Sequence, residues 1–146
     1  MKARLDLIKF IDEFSARLNS EFLVSPDIRI IFGDEDVNGA CNVLYHWKDM
    51  HIAIKLPWTY EYTDTTRTEL ICLITHEYAH YLWSLKLSAD ERVRDSKRYS
   101  TDDTFRRHDE YKTWKQTKRM LQYLDLWTDE IMRTCNQFRY AHVIMD

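Results

Sequence analysis

Two histidines and a glutamate at a fixed spacing are the residues of this chain best suited to chemistry. The sequence contains His76-Glu77-Tyr78-Ala79-His80, in which the histidines are four residues apart. In a helix this spacing puts both imidazoles on one face, ~6 Å apart along the axis, where they can bind a single ion. The pattern is the HExxH zinc motif. Glu77 lies ~100° around the helix from His76, so we expect it to act as a general base on water rather than as a ligand.

A catalytic zinc ion usually has three protein ligands and a water in the fourth position, so a third ligand must come from another segment. Residues 107–111 offer His108 and Glu110 as candidates. If a helix already runs through this segment, Glu110 lies in the middle of a stripe with Trp114 and Leu121, whereas His108 lies on the polar side. A carboxylate on a core-facing stripe needs a cation. Glu110 is therefore the predicted third ligand, with His108 as the alternative; a surface carboxylate at a helix start is the remaining possibility for Glu110.

The zinc motif lies within a long apolar segment. From Leu70 to Leu85, apolar residues occupy almost every face, which is typical of a buried central helix. Thr66 and Glu69 match a capping box, so the start of the helix is predicted there. Burying two histidines without partners would be unfavourable, and a bound zinc ion would remove that cost.

The first part of the chain is expected to form one helix and a small sheet. Apolar residues at steps of three or four predict an amphipathic helix over residues 2–19. Three short runs rich in apolar residues predict strands, with a polar stretch from Gly33 to Gly39 after the first of them. The predicted strands cover residues 28–32, 41–47 and 51–56.

The last part of the chain is expected to be helical and polar. Ser88 and Glu91 match a second capping box, which predicts a short helical extension. Residues 94–104 are polar and are predicted to form a surface loop. A final helical region is predicted from Phe105, with an interruption at residues 125–128.

The composition indicates the class of protein. Hydrophobic residues make up 45% and charged residues 31% of 146 residues, which suffices for a packed core and argues against disorder. We therefore expect a single α+β domain over residues 1–146: an N-terminal helix, a sheet of about three strands, the central HExxH helix and C-terminal helices. The net charge of −3 gives no strong field for nucleic acid or an anionic membrane, so neither is an expected partner.

The cysteines and the N-terminus indicate the compartment. Cys41, Cys72 and Cys135 are widely separated and form no CxxC pattern, which is typical of free thiols in a reducing compartment. Residues 1–13 interrupt every apolar run with a charge, so they match neither a signal peptide nor a membrane span. A cytoplasmic, soluble protein is expected.

The motif and the order of the elements resemble the minimal zincin metallopeptidases of the bacterial and phage ImmA/IrrE type, which are gluzincins. The resemblance covers the strand from His51 to Leu56, the HExxH helix, and Glu110 followed by Met120-Leu121, where such proteins often have a leucine pair. It implies a small sheet, a strand leading into the HExxH helix, and a third ligand from a later helix. This family usually has a small residue and then Asn or Asp at the third and fourth positions after the glutamate; here they are Thr113 and Trp114.

The resemblance implies a zinc-dependent metalloendopeptidase that hydrolyses a specific intracellular protein. Zn²⁺ would be bound by His76, His80 and Glu110, and Glu77 would take a proton from the attacking water. In related zincins the substrate lies antiparallel along an edge strand, for which the strand from His51 to Leu56 is the candidate. The alternative is that these residues are ordinary sheet core. An electrophilic helper for the oxyanion is also expected, and the available side chains are Tyr62, His108, Tyr111 and His142.

Two alternative functions stay open. In SprT-like DNA-associated proteases the third ligand is a histidine near the start of a helix, and His108-Asp109-Glu110-Tyr111 resembles that arrangement. Alternatively, a zincin scaffold with a structural zinc could bind or regulate a partner without hydrolysis. A fourth protein ligand such as His108 would favour the structural role, whereas an open fourth position would favour an enzyme.

Overall fold

A computed structural model describes residues 2–33 and 40–144, with side chains described at 4–33 and 40–139. Within these residues, five helices and a three-stranded mixed sheet form the α+β fold that the sequence predicts. Most of the predicted stretch from Gly33 to Gly39 lies outside the described residues. The elements are α1 (Lys2–Phe22), β1 (Asp27–Gly33), β2 (Asn42–His46), β3 (His51–Pro57), α2 (Asp64–Ser84), α3 (Ala89–Thr101), α4 (Asp103–Tyr123) and α5 (Asp129–Ile144).

The sheet has the order β1-β3-β2, with β1 parallel and β2 antiparallel to β3. Ile52 of β3 is paired with Ile28 on one side and with Tyr45 on the other. The prediction that the strand from His51 to Leu56 is an edge strand is therefore wrong. Its side chains are buried on both faces except at Lys55, and a strand that is apolar on both faces belongs in the middle of a sheet.

Helix α1 is three residues longer than predicted and buries the side chains of Leu7, Ile11, Phe14 and Leu18. It ends in a Schellman motif, in which the N–H of Val24 donates to the carbonyl of Asn19 and Leu23 has a φ of 55°. This left-handed position is usually occupied by glycine. Asp125, with a φ of 59°, has the same role after α4. In this glycine-poor chain, both helices therefore end at a left-handed residue other than glycine.

Helix α2 begins earlier than predicted. Its N-cap is Thr63, whose side chain accepts from the N–H of Thr66, while the Thr66 hydroxyl accepts from the N–H of Thr63. The predicted capping box of Thr66 with Glu69 is therefore wrong by three residues, because Thr66 occupies the N3 position rather than the cap. The interior of the helix is buried, as its apolar composition predicts.

Helix α2 stands between two apolar clusters. Leu70, Ile74 and Tyr78 belong to the larger cluster with the sheet and α1. On another face Cys72 joins a smaller cluster with α4 and α5, which includes Leu121 and Cys135. Packing on both sides fixes the rotation of α2, and so fixes the direction in which its histidines point.

The C-terminal half is more helical than predicted. The Ser88–Glu91 capping box is confirmed, but it opens a helix of 13 residues that continues to Thr101, so the predicted surface loop at residues 94–104 is wrong. The sequence pattern did not indicate this helix, because α3, which is described throughout, has no buried side chain and therefore no apolar stripe. Asp102 caps α4 by accepting from the N–H of Phe105. The predicted interruption at residues 125–128 is confirmed, since α5 begins at Asp129.

Two further observations concern the cysteines and the membrane. Cys41, Cys72 and Cys135 are free thiols in the described part of the chain, as predicted. Among the described helices, none combines the length and the apolar character that crossing a bilayer would need.

Candidate metal centre

Three side chains from two helices converge at the interface between α2 and α4. Helix α2 provides His76 and His80 from adjacent turns, and α4 provides Glu110. One potential ligand atom from each lies within 4.8 Å of the others. The exposed fractions of the three residues are 2%, 5% and 2%, so the cluster is buried. The structure therefore brings together the three residues predicted as ligands.

The Glu110 carboxylate bridges the two imidazoles. Its Oε2 lies 2.9 Å from His76 Nε2, and its Oε1 lies 3.2 Å from His80 Nε2. Burial alone would raise the pKa of Glu110, but its hydrogen bonds to the two histidines outweigh this and hold the pKa far below its usual value. Burial would likewise lower the pKa of His80, yet the Glu110 carboxylate raises it to about 9. The ionised carboxylate of Glu110 therefore stabilises the protonated, positively charged form of His80.

The orientation of His76 is set by α4. Its Nδ1 lies 3.2 Å from the hydroxyl of Thr117, which itself donates to the carbonyl of Thr113 at 2.8 Å. Because the hydroxyl proton is engaged there, the oxygen can accept from Nδ1–H, which keeps Nε2 directed at Glu110. Trp114 stacks on the imidazole, with ring centroids 3.8 Å apart and planes inclined by 19°.

The residue that precedes Glu110 lies beside the outer nitrogen of His80. The Nδ1 of His80 lies 3.6 Å from Asp109 Oδ2, and both atoms are buried without a hydrogen bond in the described residues. Lys112 lies 3.6 Å from the other oxygen of Asp109. Carboxylate partners on the outer nitrogen of a ligating histidine are a recurrent feature of zinc sites. The sequence contains the signal for this role, because Asp109 adjoins the predicted ligand, but sequence reasoning missed it.

Glu77 lies outside the three-residue cluster but lines the same cavity as the cluster does. Its Oε2 accepts a hydrogen bond of 3.1 Å from the backbone N–H of Tyr45 in β2. Burial raises the pKa of Glu77 to about 7, where a carboxylate can both accept and release a proton near neutral pH.

Tyr99 of α3 is a site residue that sequence reasoning missed. Its hydroxyl donates a short hydrogen bond to Oε1 of Glu110. Partial burial and the negative charge of Glu110 both raise the pKa of Tyr99, so the hydroxyl keeps its proton and remains a donor. It was missed because residues 94–104 were predicted as a loop, which gave no basis for a side-chain direction.

A cavity of about 280 Å³ connects the cluster with the outer side of β2. Glu77 and the three clustered residues line it, as do Tyr99 and the apolar side chains of Trp47, Leu73 and Phe138. Reactive groups and apolar surface thus share one concave space, as in most small-molecule and peptide sites.

The remaining sequence candidates lie elsewhere or are not described. His108 is exposed on α4, outside the cluster that its neighbour Glu110 joins. Tyr62 packs against Phe10 at the larger apolar cluster, and Tyr111 lines a different groove between α4 and α5. The side chain of His142 lies outside the described residues.

The donor set fits a zinc ion. Two imidazole nitrogens and one carboxylate oxygen are the usual protein ligands of catalytic zinc, and the outer nitrogen of each histidine faces an oxygen that can orient it. His76, His80 and Glu110 could therefore hold one ion, with Glu77 beside it. Comparisons of this chain with protein-family models, curated proteins and solved structures found no match.

Proposed function

We propose that this protein is a zinc-dependent endopeptidase whose metal ligands are His76, His80 and Glu110. The observation that carries the proposal is that these three side chains converge while Glu77 lines the same cavity, on a neighbouring face of α2. Burial raises the pKa of Glu77 to about 7, which suits a general base at neutral pH.

The chain's own residues have separable roles in this reaction. A zinc ion at the cluster would supply Lewis-acid activation of water and of the scissile carbonyl. Glu77 would accept the proton of the attacking water and pass it to the leaving amine. Thr117 and Asp109 would hold the two histidines with their Nε2 atoms directed at the site. Tyr99 would fix the Glu110 carboxylate through its hydrogen bond.

The substrate is proposed to lie along β2 rather than along β3. The backbone N–H of Tyr45 points to Glu77 instead of to β3, so the outer side of β2 faces the cavity. Alternate residues of a strand direct their backbone N–H and C=O groups to the same side, so those of Val43 also point to the outer side of β2. Because Glu77 already accepts from the N–H of Tyr45, an extended peptide would pair with the other outward backbone groups of this edge. The apolar lining by Trp47, Leu73 and Phe138 favours an apolar substrate side chain.

The proposal is tested by replacing the general base while keeping the ligands. Purified wild type, Glu77→Gln and the matched variant Glu69→Gln on the same helix are incubated with a proteome-derived peptide library, and new peptide ends are identified by mass spectrometry. Wild type and Glu69→Gln should cleave, whereas Glu77→Gln should retain about one zinc per chain and lose cleavage by ~10²-fold or more. Cleavage that persists in Glu77→Gln would contradict the assigned role.

The non-catalytic alternative gives a different result in the same experiment. A structural zinc predicts that all three proteins bind zinc and that none cleaves the library. The SprT-like alternative needs His108 at the metal, and the exposure of His108 gives it no support.

A further inference from the structure

A second cavity, of about 470 Å³, lies between α4 and α5. Its volume falls within the range of ~300–1000 Å³ that is typical of small-molecule sites. The residues that line it differ from those that line the cavity of the metal centre, so the two are separate spaces. Its floor includes the buried residues Trp114 and Thr117, both of which also contact His76.

The groove between α4 and α5 has a strongly positive rim. Its lining includes four cationic side chains, and among the described residues it includes no Asp or Glu. None of the four forms an ion pair within the described part of the chain. Such a rim is complementary to an anion with more than one negative charge. The four cationic residues are Lys115, Lys118, Arg119 and Arg139.

Aromatic rings form the walls beside these charges. Tyr111 is 46% exposed, and Trp127 is partly buried against the smaller apolar cluster. Lys118 Nζ lies 5.6 Å from the centroid of the Trp127 ring, and Lys115 Nζ lies 5.5 Å from that of Tyr111. Exposed cation–π contacts are worth only ~0.5–1 kcal/mol, so a flat ligand can displace the lysines from the rings. Their ammonium groups are then free to turn towards its negative charges.

We propose that this groove binds a free nucleotide, with the base stacked on Tyr111 or Trp127 and the phosphates bound by the four cations. An anion without a ring would use the rim and leave the aromatic walls unused. A ring without charge would leave four uncompensated cations around it. A nucleotide matches both features at once.

A free nucleotide fits this groove better than a nucleic-acid strand does. Four cationic side chains line one concave space, whereas the net charge of the whole chain is −3. Strand binding draws much of its affinity from cations distributed along the backbone path. An acidic peptide is the other polyanion that the charge alone would allow.

The test is calorimetric titration of the 146-residue chain with ATP in magnesium-free buffer, beside adenosine, tripolyphosphate, a ten-nucleotide single-stranded DNA and a poly-glutamate peptide. ATP should bind with a dissociation constant below ~1 mM, and adenosine and tripolyphosphate should each bind ~10-fold more weakly. Lys118→Glu and Arg139→Glu should each weaken ATP binding by ~10-fold or more. The matched control is Arg133→Glu, an exposed position of α5 outside the groove, which should leave the affinity unchanged.

Each other outcome overturns the proposal. Absence of ATP binding, or equal weakening in Arg133→Glu, would exclude the groove as the binding site. Tripolyphosphate binding as tightly as ATP would show that the aromatic walls have no part in recognition. Tighter binding of the DNA or the peptide than of ATP would assign the groove to that macromolecule. Because no peptide cleavage is measured, failure here and failure of the proposed peptidase function are distinguishable.

Discussion

Asp109 Oδ2 lies 3.6 Å from His80 Nδ1, and neither buried atom makes a hydrogen bond within the described residues. A small closure of this gap would satisfy both atoms at once, with Nδ1–H as the donor and the carboxylate as the acceptor. Thr117, which lies in α4 like Asp109, places its hydroxyl 3.2 Å from Nδ1 of His76. Helix α4 therefore carries a predicted ligand, Glu110, together with the oxygens that face the outer nitrogens of the two histidines of α2.

We expect Asp109→Asn to weaken zinc binding by ~10- to 100-fold, because the amide provides a weaker partner for His80 Nδ1 and can present a donor instead. The measurement is competition with a chromophoric chelator. Asp103→Asn, an exposed change at the start of the same helix, is the control and should leave the affinity as it is. An unaltered affinity in Asp109→Asn would show that Asp109 does not orient the histidine.

Thr117→Val should weaken zinc binding by ~10-fold or more, since valine has a similar shape but cannot accept from His76 Nδ1–H. Thr117→Ser should restore the affinity because it keeps the hydroxyl. The same chelator competition measures both variants, with thermal unfolding of the metal-free proteins as a check on folding. If valine and serine behave alike, packing rather than the hydrogen bond is what Thr117 contributes.

The third ligand can be assigned by metal content. Wild type and His108→Ala should each purify with about one zinc per chain, whereas Glu110→Ala should lose most of it, because Glu110 is buried with the histidines and His108 is exposed. Inductively coupled plasma mass spectrometry measures the zinc. Loss of metal in His108→Ala with retention in Glu110→Ala would reverse the assignment.

Leu23→Gly should raise the free energy of unfolding by ~1 kcal/mol, because leucine pays a steric penalty at a φ of 55° and is 90% exposed, so little burial is lost. Leu5→Gly is the matched change inside α1, where leucine is 61% exposed and helical. There, glycine should lower the stability by ~1 kcal/mol. Urea unfolding followed by circular dichroism measures both, and destabilisation by Leu23→Gly would be the contrary result.

Alkylation of Cys41 should be slow at neutral pH. Burial raises the pKa of this thiol to about 11, although a hydrogen bond with Tyr60 opposes the shift. The thiolate is the reactive form, so at pH 8 the folded protein should react with iodoacetamide ~100-fold more slowly than the unfolded chain, and the rate should rise as the pH approaches 11. Mass spectrometry of timed samples measures the reaction. A fast reaction at pH 8 in folded protein would contradict the shift.

Much of the candidate site could be predicted because it depends on helical geometry. The four-residue spacing put His76 and His80 on one face, and the same geometry placed Glu110 on the buried stripe of α4 and His108 on the exposed side. Tyr99 could not be found, because its helix buries no side chain and so shows no apolar period. The pairing of Asp109 with His80 depends on how α2 and α4 pack, which neither segment encodes alone.

The sheet illustrates a different limit of sequence reasoning. Three strands were predicted at nearly the observed positions, but the order β1-β3-β2 was not, and β3 was placed at the edge. Alternation along Ile52, Ile54 and Leu56 indicated one buried face, whereas Ala53 and His51 show that the other face is buried too. Strand order depends on contacts between distant segments, and local patterns report only the strand itself.

Trp114 contacts a predicted metal ligand and also lines the groove between α4 and α5. Its ring stacks on the imidazole of His76, with the ring centroids 3.8 Å apart. Because the two rings stack, we expect a ligand that shifts this indole to shift the imidazole of His76 as well. If both sites are occupied, thermodynamic reciprocity requires that the factor by which the groove ligand changes zinc affinity equals the factor by which zinc changes the affinity of the groove ligand.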